Sequence, residues 1–498
     1  MTQNIETTKE ASHDAGPGQV DDARRTPDGS GPTARGPVDR YFLISKRGST
    51  VAREVRGGLT TFMAMAYILL LNPLLLSGAD VNGHHLPHAA LITSTALAAA
   101  VVTLAMGFIG KVPLALAAGL SVAGVVSTQV APHMTWPQAM GMCVIYGAVI
   151  VLLVVSGLRE AVMNAIPLPL KHGITVGIGL FIALIGLVNA GFVGVGSASS
   201  PVQLGAGPTQ HLTGWPVLIF CVTLLTIFML QARKFPGAIL IGIVFGTVLA
   251  MIVQGVLHLK PDAWGTNVPQ LPKSPVSMPD FSLIGHVSFG GWGNIGVMTV
   301  GVIVFTLVLA GFFDAMATII GVGSEAGLAD SQGRMPGLSK ALFIDGAGGM
   351  IGGSVGGSGQ TVFIESATGV GEGARTGLAS VITGLLFASA LFITPIASIV
   401  PAQAASAALV VIGSMMITNV RHIDWTDRAV AIPVFLTIVL MPFTYGITPG
   451  VGAGVIAYCA IKGAQGKWRD PSVLMWILAV VFVAYFAMNP IQSWLGAK

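Results

Sequence analysis

The sequence predicts an all-α polytopic membrane protein of about fourteen transmembrane segments arranged as a 7+7 inverted repeat, and three observations carry that expectation. The 498 residues are 53% hydrophobic and only 9% charged, far from the roughly one quarter charged of a soluble chain. Apolar runs able to cross about 30 Å at 1.5 Å per residue recur along most of the length. Two of them, the third (113–127) and the tenth (361–371), are short and glycine-broken, and each is third in its own set of seven. Short interrupted segments at matching positions of two halves point to a midplane binding site, and an odd number of segments per half requires opposite topology.

Residues 1–40 are rich in Gly, Pro, Asp, Thr and Arg and bury too little surface to fold, so a disordered cytoplasmic tail is expected. They lack the apolar stretch of a cleavable signal peptide. A short amphipathic piece, 40–56, then carries Lys46, Arg47, Arg53 and Arg56 towards the membrane. The apolar runs follow at 58–77, 89–109, 113–127, 137–156, 170–189, 214–231 and 237–257. After a longer polar loop they resume at 295–321, 340–354, 361–371, 376–397, 403–418, 427–445 and 448–463.

Loop charges test this threading, because Lys and Arg concentrate in cytoplasmic loops. Lys111, Arg159 with Lys171, Arg233 with Lys234, Arg334 with Lys340, Arg375, and Arg421 with Arg428 all fall on the side of the N-terminus. The opposite loops 78–88, 128–136, 190–213 and 395–402 hold no Lys or Arg, and the long 258–294 loop, with Lys260 and Lys273, is the exception, as long loops obey the rule poorly. The N-terminus is therefore expected in the cytoplasm of a multi-pass protein of the cell membrane. A further apolar run, Val473 to Met488, either spans, lies in the interface or packs on the bundle.

Several function classes fall away. The net charge of +4 is explained by cytoplasmic-loop Lys and Arg and calls for no nucleic-acid partner. Cys143, Cys221 and Cys459 are far apart in apolar runs, with neither metal-ligand nor disulfide spacing, and read as packing residues. His84, His85, His88 and His133 read as loop histidines without ligand spacing, so no metal and no cofactor is expected. Gly346 to Gly359 is glycine-rich, but no Gly-Lys-Ser/Thr follows, so nucleotide hydrolysis is not supported. An enzyme would need a nucleophile–base pair or a metal cluster in the membrane, and neither is visible.

The chemistry concentrates in two stretches. Phe312-Phe313-Asp314-Ala315-Met316-Ala317-Thr318 places a carboxylate inside a long apolar run, and Gln360 to Gly369 places Glu365 between glycines. A carboxylate at bilayer depth costs about 2.5–3.5 kcal/mol on insertion scales and is read as functional by default. The expected grip on a substrate is therefore Asp314 on one side and Glu365 on the other. Thr361 to Ile364, β-branched and aromatic, fits a short extended stretch, tolerable at that depth only where it is buried in protein or lines a cavity. Thr318 shares the helical face of Asp314, although close helix packing explains its small neighbours Gly311, Ala315 and Gly321 equally well. Gln360 is expected in the site. Ser358 and Thr361 are balanced between site contacts and half-helix caps. Asp345 and Glu325 read as structural caps or gating contacts.

The residues also carry a resemblance. Glu54-Val-Arg-Gly-Gly-Leu-Thr-Thr-Phe-Met-Ala-Met-Ala-Tyr-Ile, with Asn72-Pro73, resembles the first helix of azaguanine-type purine permeases, the adenine/hypoxanthine/guanine branch of the nucleobase/ascorbate transporters. Phe312 to Gly321 with Glu325-Ala326-Gly327-Leu328 resembles their eighth helix. Phe363-Ile364-Glu365-Ser366-Ala367 with Gly369 and Arg375-Thr376-Gly377-Leu378 resembles their tenth. The similarity runs from about residue 40 to 463.

It implies proton-coupled uptake of purine nucleobases, with the proton or another cation as coupling partner, and an elevator-like movement of a core domain against a gate domain. The core would comprise 41–165 and 285–400 and the gate 166–284 and 401–463, followed by a hydrophobic C-terminal segment at 464–498. A homodimer through the gate domains is implied as well. By this resemblance Asp314 and Glu365 would bind the base and Phe363 would stack on the ring. From their own positions Glu365 and Asp314 are the expected proton carriers, and Thr361, Thr318, Ser121 and Gln360, which departs from the family's Thr-rich stretch, are further candidate contacts. The third segment departs from the family pattern: Ala123 stands for an Asn, and Val125 and Val126 for aromatics. A different heterocycle such as xanthine, uracil or a purine-like metabolite is the alternative substrate, and an anion carrier on the same fold is the alternative class.

Overall fold

The computed structural model describes residues 36–157, 166–197, 200–205, 211–235, 237–264, 268–272, 274–290, 296–328 and 338–487. Within the helix Val297–Glu325, the side chains of Phe313, Asp314, Met316, Ala317 and Glu325 lie outside the described ones. Helix α1 (Pro37–Phe42) begins within the stretch expected to be tail and is followed by α2 (Val51–Met65), α3 (Ile68–Leu75) and α4 (His88–Ala105). Strand β1 (Leu116–Ala118), the short α5 (Leu120–Val125) and α6 (Trp136–Val155) complete the first stretch. Next come α7 (Leu168–Asn189), a hairpin of β2 (Val193–Ser197) and β3 (Ser200–Leu204), α8 (Trp215–Ala232) and α9 (Ala238–Leu257). The second half holds α10 (Val297–Glu325), α11 (Leu338–Ser354), β4 (Gln360–Val362), the short α12 (Ser366–Gly371) and α13 (Gly377–Ala390). It ends with α14 (Thr394–Ala397), α15 (Ala402–Met416), α16 (Arg428–Phe443), α17 (Ile447–Ala464) and α18 (Val473–Phe486).

Among the described residues, nine helical stretches are long and apolar enough to cross a bilayer, and shorter apolar helices accompany them. The chain is thus a mostly helical, multi-pass membrane protein. The helices fall into two packed groups. One joins α2–α6 to α10–α13, and the other joins α7–α9 to α15–α17. Small residues let the backbones meet where the halves interlock. A Cβ on Gly147 of α6 would stand 2.5 Å from the Met350 nitrogen of α11, and one on Gly179 of α7 would stand 2.7 Å from the Met416 Cβ. This is the packing expected where lipid supplies no hydrophobic drive between helices.

The two short segments meet at the centre of the first group. β1 and β4 pair antiparallel in the register Leu116↔Val362, Ala117↔Thr361 and Ala118↔Gln360. The ladder extends through Gly119 N–H to the Gly359 carbonyl at 2.9 Å and Phe363 N–H to the Ala115 carbonyl at 3.0 Å. Each strand leads straight into a half-helix, β1 into α5 and β4 into α12, so the half-helices leave in opposite directions.

Side chains complete the pairing at its ends. The Thr103 hydroxyl donates to the Leu116 carbonyl at 2.8 Å, and the Ala115 N–H donates to the Ser366 hydroxyl at 3.0 Å. Buried Asn72, next to Pro73 within α3, donates to Thr95 at 2.8 Å and to the Gly357 carbonyl at 3.1 Å, and it accepts from Ser358 at 3.1 Å. The turn entering β4 is therefore held by the first helix pair.

Capping carboxylates tie the helix ends together. Asp80 in the loop after α3 accepts from the N–H groups of Asn82 and His84, both at 2.9 Å, and from Trp136 at the start of α6 at 3.2 Å. Burial works against its charge, but those backbone donors and the adjacent His84 hold its carboxyl below the usual range. At the other end, fully buried Glu54 of α2 accepts from the N–H groups of Arg375 at 2.8 Å, Thr376 at 3.2 Å and Ala379 at 3.3 Å. A carboxylate there satisfies the open donors at the start of α13 and meets the positive end of its dipole. Arg56 adds an ion pair to Glu372 at 2.8 Å.

The last apolar helix, α18, lies against α17. Cys459 approaches the Met475 carbonyl, whereas Gly452 sits under Phe482 and Phe486. Rising numbers in α18 thus meet falling numbers in α17. The two run antiparallel, and α18 passes back along the bundle rather than lying flat in the interface. Phe482 also meets Phe305 of α10 at 5.4 Å between ring centroids, so the helix touches both groups.

Replacing Glu54 by Ala leaves three backbone donors at the start of α13 unpaired in a buried setting. The expected loss is roughly 2–4 kcal/mol of stability, read as a lowered melting temperature of the detergent-purified protein. Glu54→Gln, which still accepts, should lose less. An unchanged melting temperature for Glu54→Ala contradicts the capping role.

Candidate functional site

Between the two helix groups lies a cavity of about 520 Å³, within the usual range of small-molecule sites. From the first group it is lined by Tyr67, Leu120, Thr318 and the run Val362 to Glu365. From the second it is lined by Thr175, Ile178 and Ile182 of α7, Ile412, Met415 and Met416 of α15, and the 3₁₀ turn Ile417–His422 that follows. One wall is thus the end of β4 with its carboxylate, and the facing wall is aliphatic. Exposed Thr418, Arg421 and His422 form the rim.

Glu365 sits where extended backbone gives way to helix, directly before α12, and is 8% exposed. Its side chain reaches the cavity and accepts a hydrogen bond from the Tyr67 hydroxyl. Tyr67 occupies the junction between α2 and α3, and its ring lies 6.5 Å from that of Phe363. Tyr67, Phe363 and Glu365 therefore form one unit at the closed end of the cavity. The half-helix behind Glu365 is terminated by Arg375, which donates to the Val370 and Ala374 carbonyls at 2.7 Å; a cation at a helix C-terminus is favourable.

The residues expected from sequence divide into three sets. Glu365, Phe363 and Thr318 line the cavity. Position 314 lies on α10 one helical turn before Thr318, and the Asp314 side chain lies outside the described ones. Gln360, Thr361 and Ser121 are buried but are not among the cavity-lining residues. Gln360 donates to the Gly357 and Ser358 carbonyls at 3.2 and 3.4 Å and packs on Gly348 and Gly352 of α11. Thr361 donates to Asp345 at 3.2 Å. Asp345, buried in α11, is thus a contact from that helix to β4 rather than a helix cap.

Sequence reasoning missed Tyr67 and the aliphatic wall. Tyr67 lies within the first-helix stretch Glu54 to Asn72, but nothing in that stretch alone says its hydroxyl meets a residue 298 positions away. The wall of Ile178, Ile182, Ile412, Met415 and Met416 is indistinguishable in sequence from lipid-facing positions. Cys143, Cys221 and Cys459 are free thiols, and among the described residues no cluster of three metal-ligating side chains occurs.

This arrangement is that of a membrane transporter: a multi-pass bundle with a largely apolar, small-molecule-sized cavity that holds one buried carboxylate and is walled by two helix groups. Residues 52–451 match the Permease family (Xan_ur_permease), and the chain belongs to it. It is 34% identical over 453 residues to the adenine permease AdeP of Escherichia coli (strain K12), covering 91% of this chain and 96% of that one. To the guanine/hypoxanthine permease PbuO of Bacillus subtilis (strain 168) it is 34% identical over 447 residues, covering 89% and 98%. In fold it resembles the transmembrane domain of the cyanobacterial bicarbonate transporter BicA, with a TM-score of 0.56 at 17% identity over 81% of this chain and 97% of that one. A permease moves its substrate unchanged, so the protein is a transporter and not an enzyme.

If Tyr67 orients Glu365, Tyr67→Phe should lower transport efficiency (Vmax/KM) about tenfold, the worth of one hydrogen bond to a charged group. Its melting temperature should change far less than that of Glu54→Ala. Wild-type efficiency in Tyr67→Phe contradicts the assignment.

Proposed function

We propose that the protein is a secondary-active, proton-coupled importer of purine nucleobases. The observation that carries this reading is the placement of Glu365 and Phe363 together at the closed end of the cavity, at the tip of the paired strands. A purine presents ring N–H donors and ring-nitrogen or carbonyl acceptors on a flat apolar body. A carboxylate accepts from the N–H edge, the Phe363 ring offers a face, and the aliphatic wall opposite covers the other face. Sites built on such hydrogen bonds reject analogues lacking them by large factors. Relatives named as adenine and guanine/hypoxanthine permeases, aligned over nearly the whole chain, support the same substrate class.

In this reading Glu365 binds the base and exchanges the coupled proton, with Asp314 holding the opposite edge. Thr318, one turn from position 314, lines the intervening space. The first helix group is the core, which carries the site, and the second is the gate. The two halves of the chain are seven-segment inverted repeats, a reading supported by the antiparallel strands and the oppositely directed half-helices. Transport proceeds by an elevator-like movement of core against gate. The rim at 417–422, on the side of the basic loops, faces the cytoplasm of the cell membrane together with the N-terminus. The carrier works as a homodimer through its gate.

Reconstituted into proteoliposomes, the protein should accumulate at least one labelled purine when a proton gradient points inward. Collapsing the gradient should abolish accumulation, and Glu365→Gln should reduce it at least about tenfold, the scale of a lost charge-assisted contact. Failure to accumulate any purine overturns the substrate class; unchanged uptake by Glu365→Gln overturns the role of that carboxylate.

A further inference from the structure

The cavity of about 520 Å³ leaves room beyond a bicyclic base, and its rim holds a cation that no acid neutralises among the described residues. Arg421 and His422 both line the cavity. Among the described residues, Arg421 makes one side-chain hydrogen bond, from Nε to Nε2 of His422 at 3.3 Å, and no ion pair. Its two terminal nitrogens keep their donors. The acids nearest in the chain are committed elsewhere: Asp424 accepts from the N–H of Thr426 at 2.9 Å and its hydroxyl at 2.6 Å, and Asp427 caps α16 through Ala429 at 2.9 Å.

A second imidazole, His172 of α7, faces His422 with ring centroids 5.1 Å apart. The turn is braced from within, by Asn419 donating to the Met416 carbonyl at 3.0 Å and Trp425 to the Val420 carbonyl at 3.4 Å. A guanidinium fork backed by imidazoles on a braced turn suits a phosphate, which it can hold through two parallel N–H···O contacts.

We propose that this rim is a phosphate subsite, and that a purine nucleoside monophosphate entering from the rim side occupies the cavity and inhibits the carrier. The base would take the place of the substrate against Glu365 and Phe363, and the phosphate would reach Arg421 and His422. The reaction class that consumes a free base attaches a phosphorylated sugar to it, so the inhibitor is a product made from the cargo. The proposal rests on the purine reading of the cavity, and its test separates the two.

The experiment is counterflow of labelled purine in proteoliposomes of zwitterionic lipid made from the full chain. A purine nucleoside 5′-monophosphate, the matching nucleoside or inorganic phosphate is supplied to the compartment facing the rim. Counterflow without additions tests the purine reading alone. The monophosphate should inhibit at a concentration at least about tenfold below that of the nucleoside, the margin of a charge-assisted contact. It should do so from the rim side only. Arg421→Gln should remove that margin, and Arg421→Lys, which keeps the charge without the fork, should restore part of it.

Repeating the assay with anionic vesicles distinguishes the source of phosphate. A margin that persists supports the free monophosphate as the ligand; one that vanishes in anionic vesicles alone assigns the site to lipid headgroups and overturns the inhibitor role. If the wild-type protein shows counterflow but the monophosphate inhibits no better than the nucleoside, the subsite is overturned even should Arg421→Gln fail to fold.

Discussion

Backbone amides inside a membrane protein cannot wait for water, and the two broken segments solve that problem with each other. β1 and β4 exchange their hydrogen bonds across a three-residue antiparallel register, and Thr103, Asn72 and Ser366 take up groups at the ends. Each unsatisfied group at this depth would cost several kcal/mol, so the pairing is the condition under which either segment can stop being helix. Everything at the site follows from that permission. Because β4 ends at Val362, Phe363 and Glu365 emerge before α12 begins, where both line the cavity.

The second dependence is on rigid support around this centre. Glu54 binds α2 to the start of α13, Asp80 binds the end of α3 to the start of α6, and α11 presses Asp345 against Thr361. The Glu54 contact joins the two halves of the chain, and the other two brace each half from within. The facing helices α7 and α15 pack on each other through Gly179 and Gly413 and meet the site with aliphatic side chains. Such a wall offers few hydrogen bonds that would have to break in the core-against-gate movement proposed above. The Thr306–Thr448 hydrogen bond is a point where the groups do hold each other, and the Phe305–Phe482 contact adds a link through α18.

Much of this was legible in the chain itself. The multi-pass class followed from hydropathy and loop charge, and the two anomalous segments are those that contain the paired strands β1 and β4. The β-branched run at 361 and the glycines around Glu365 are local signals, and local signals survive in sequence. Glu365, Phe363 and Thr318, all singled out from the sequence, line the cavity. Proximity between distant segments is not written locally. The Tyr67 hydroxyl on Glu365 and the Met415–Met416 wall arise only from helix packing, and the side to which Gln360 turns depends on the glycines of α11 beneath it. The last apolar run, Val473 to Met488, was ambiguous because Lys462, Lys467 and Arg469 mark the inside just before it while a further span would carry the C-terminus outside; its antiparallel contact with α17 says how it lies.

The central claim is that the carboxylate at the end of β4 recognises a purine in the cavity between the helix groups. Calorimetric titration of the purified protein with the purine it accumulates addresses that claim without transport or coupling intervening. The account predicts a saturable site in the wild-type protein and an affinity at least about tenfold weaker in Glu365→Gln, with the melting temperature showing that the variant is folded. Equal affinity in a folded Glu365→Gln protein would contradict it.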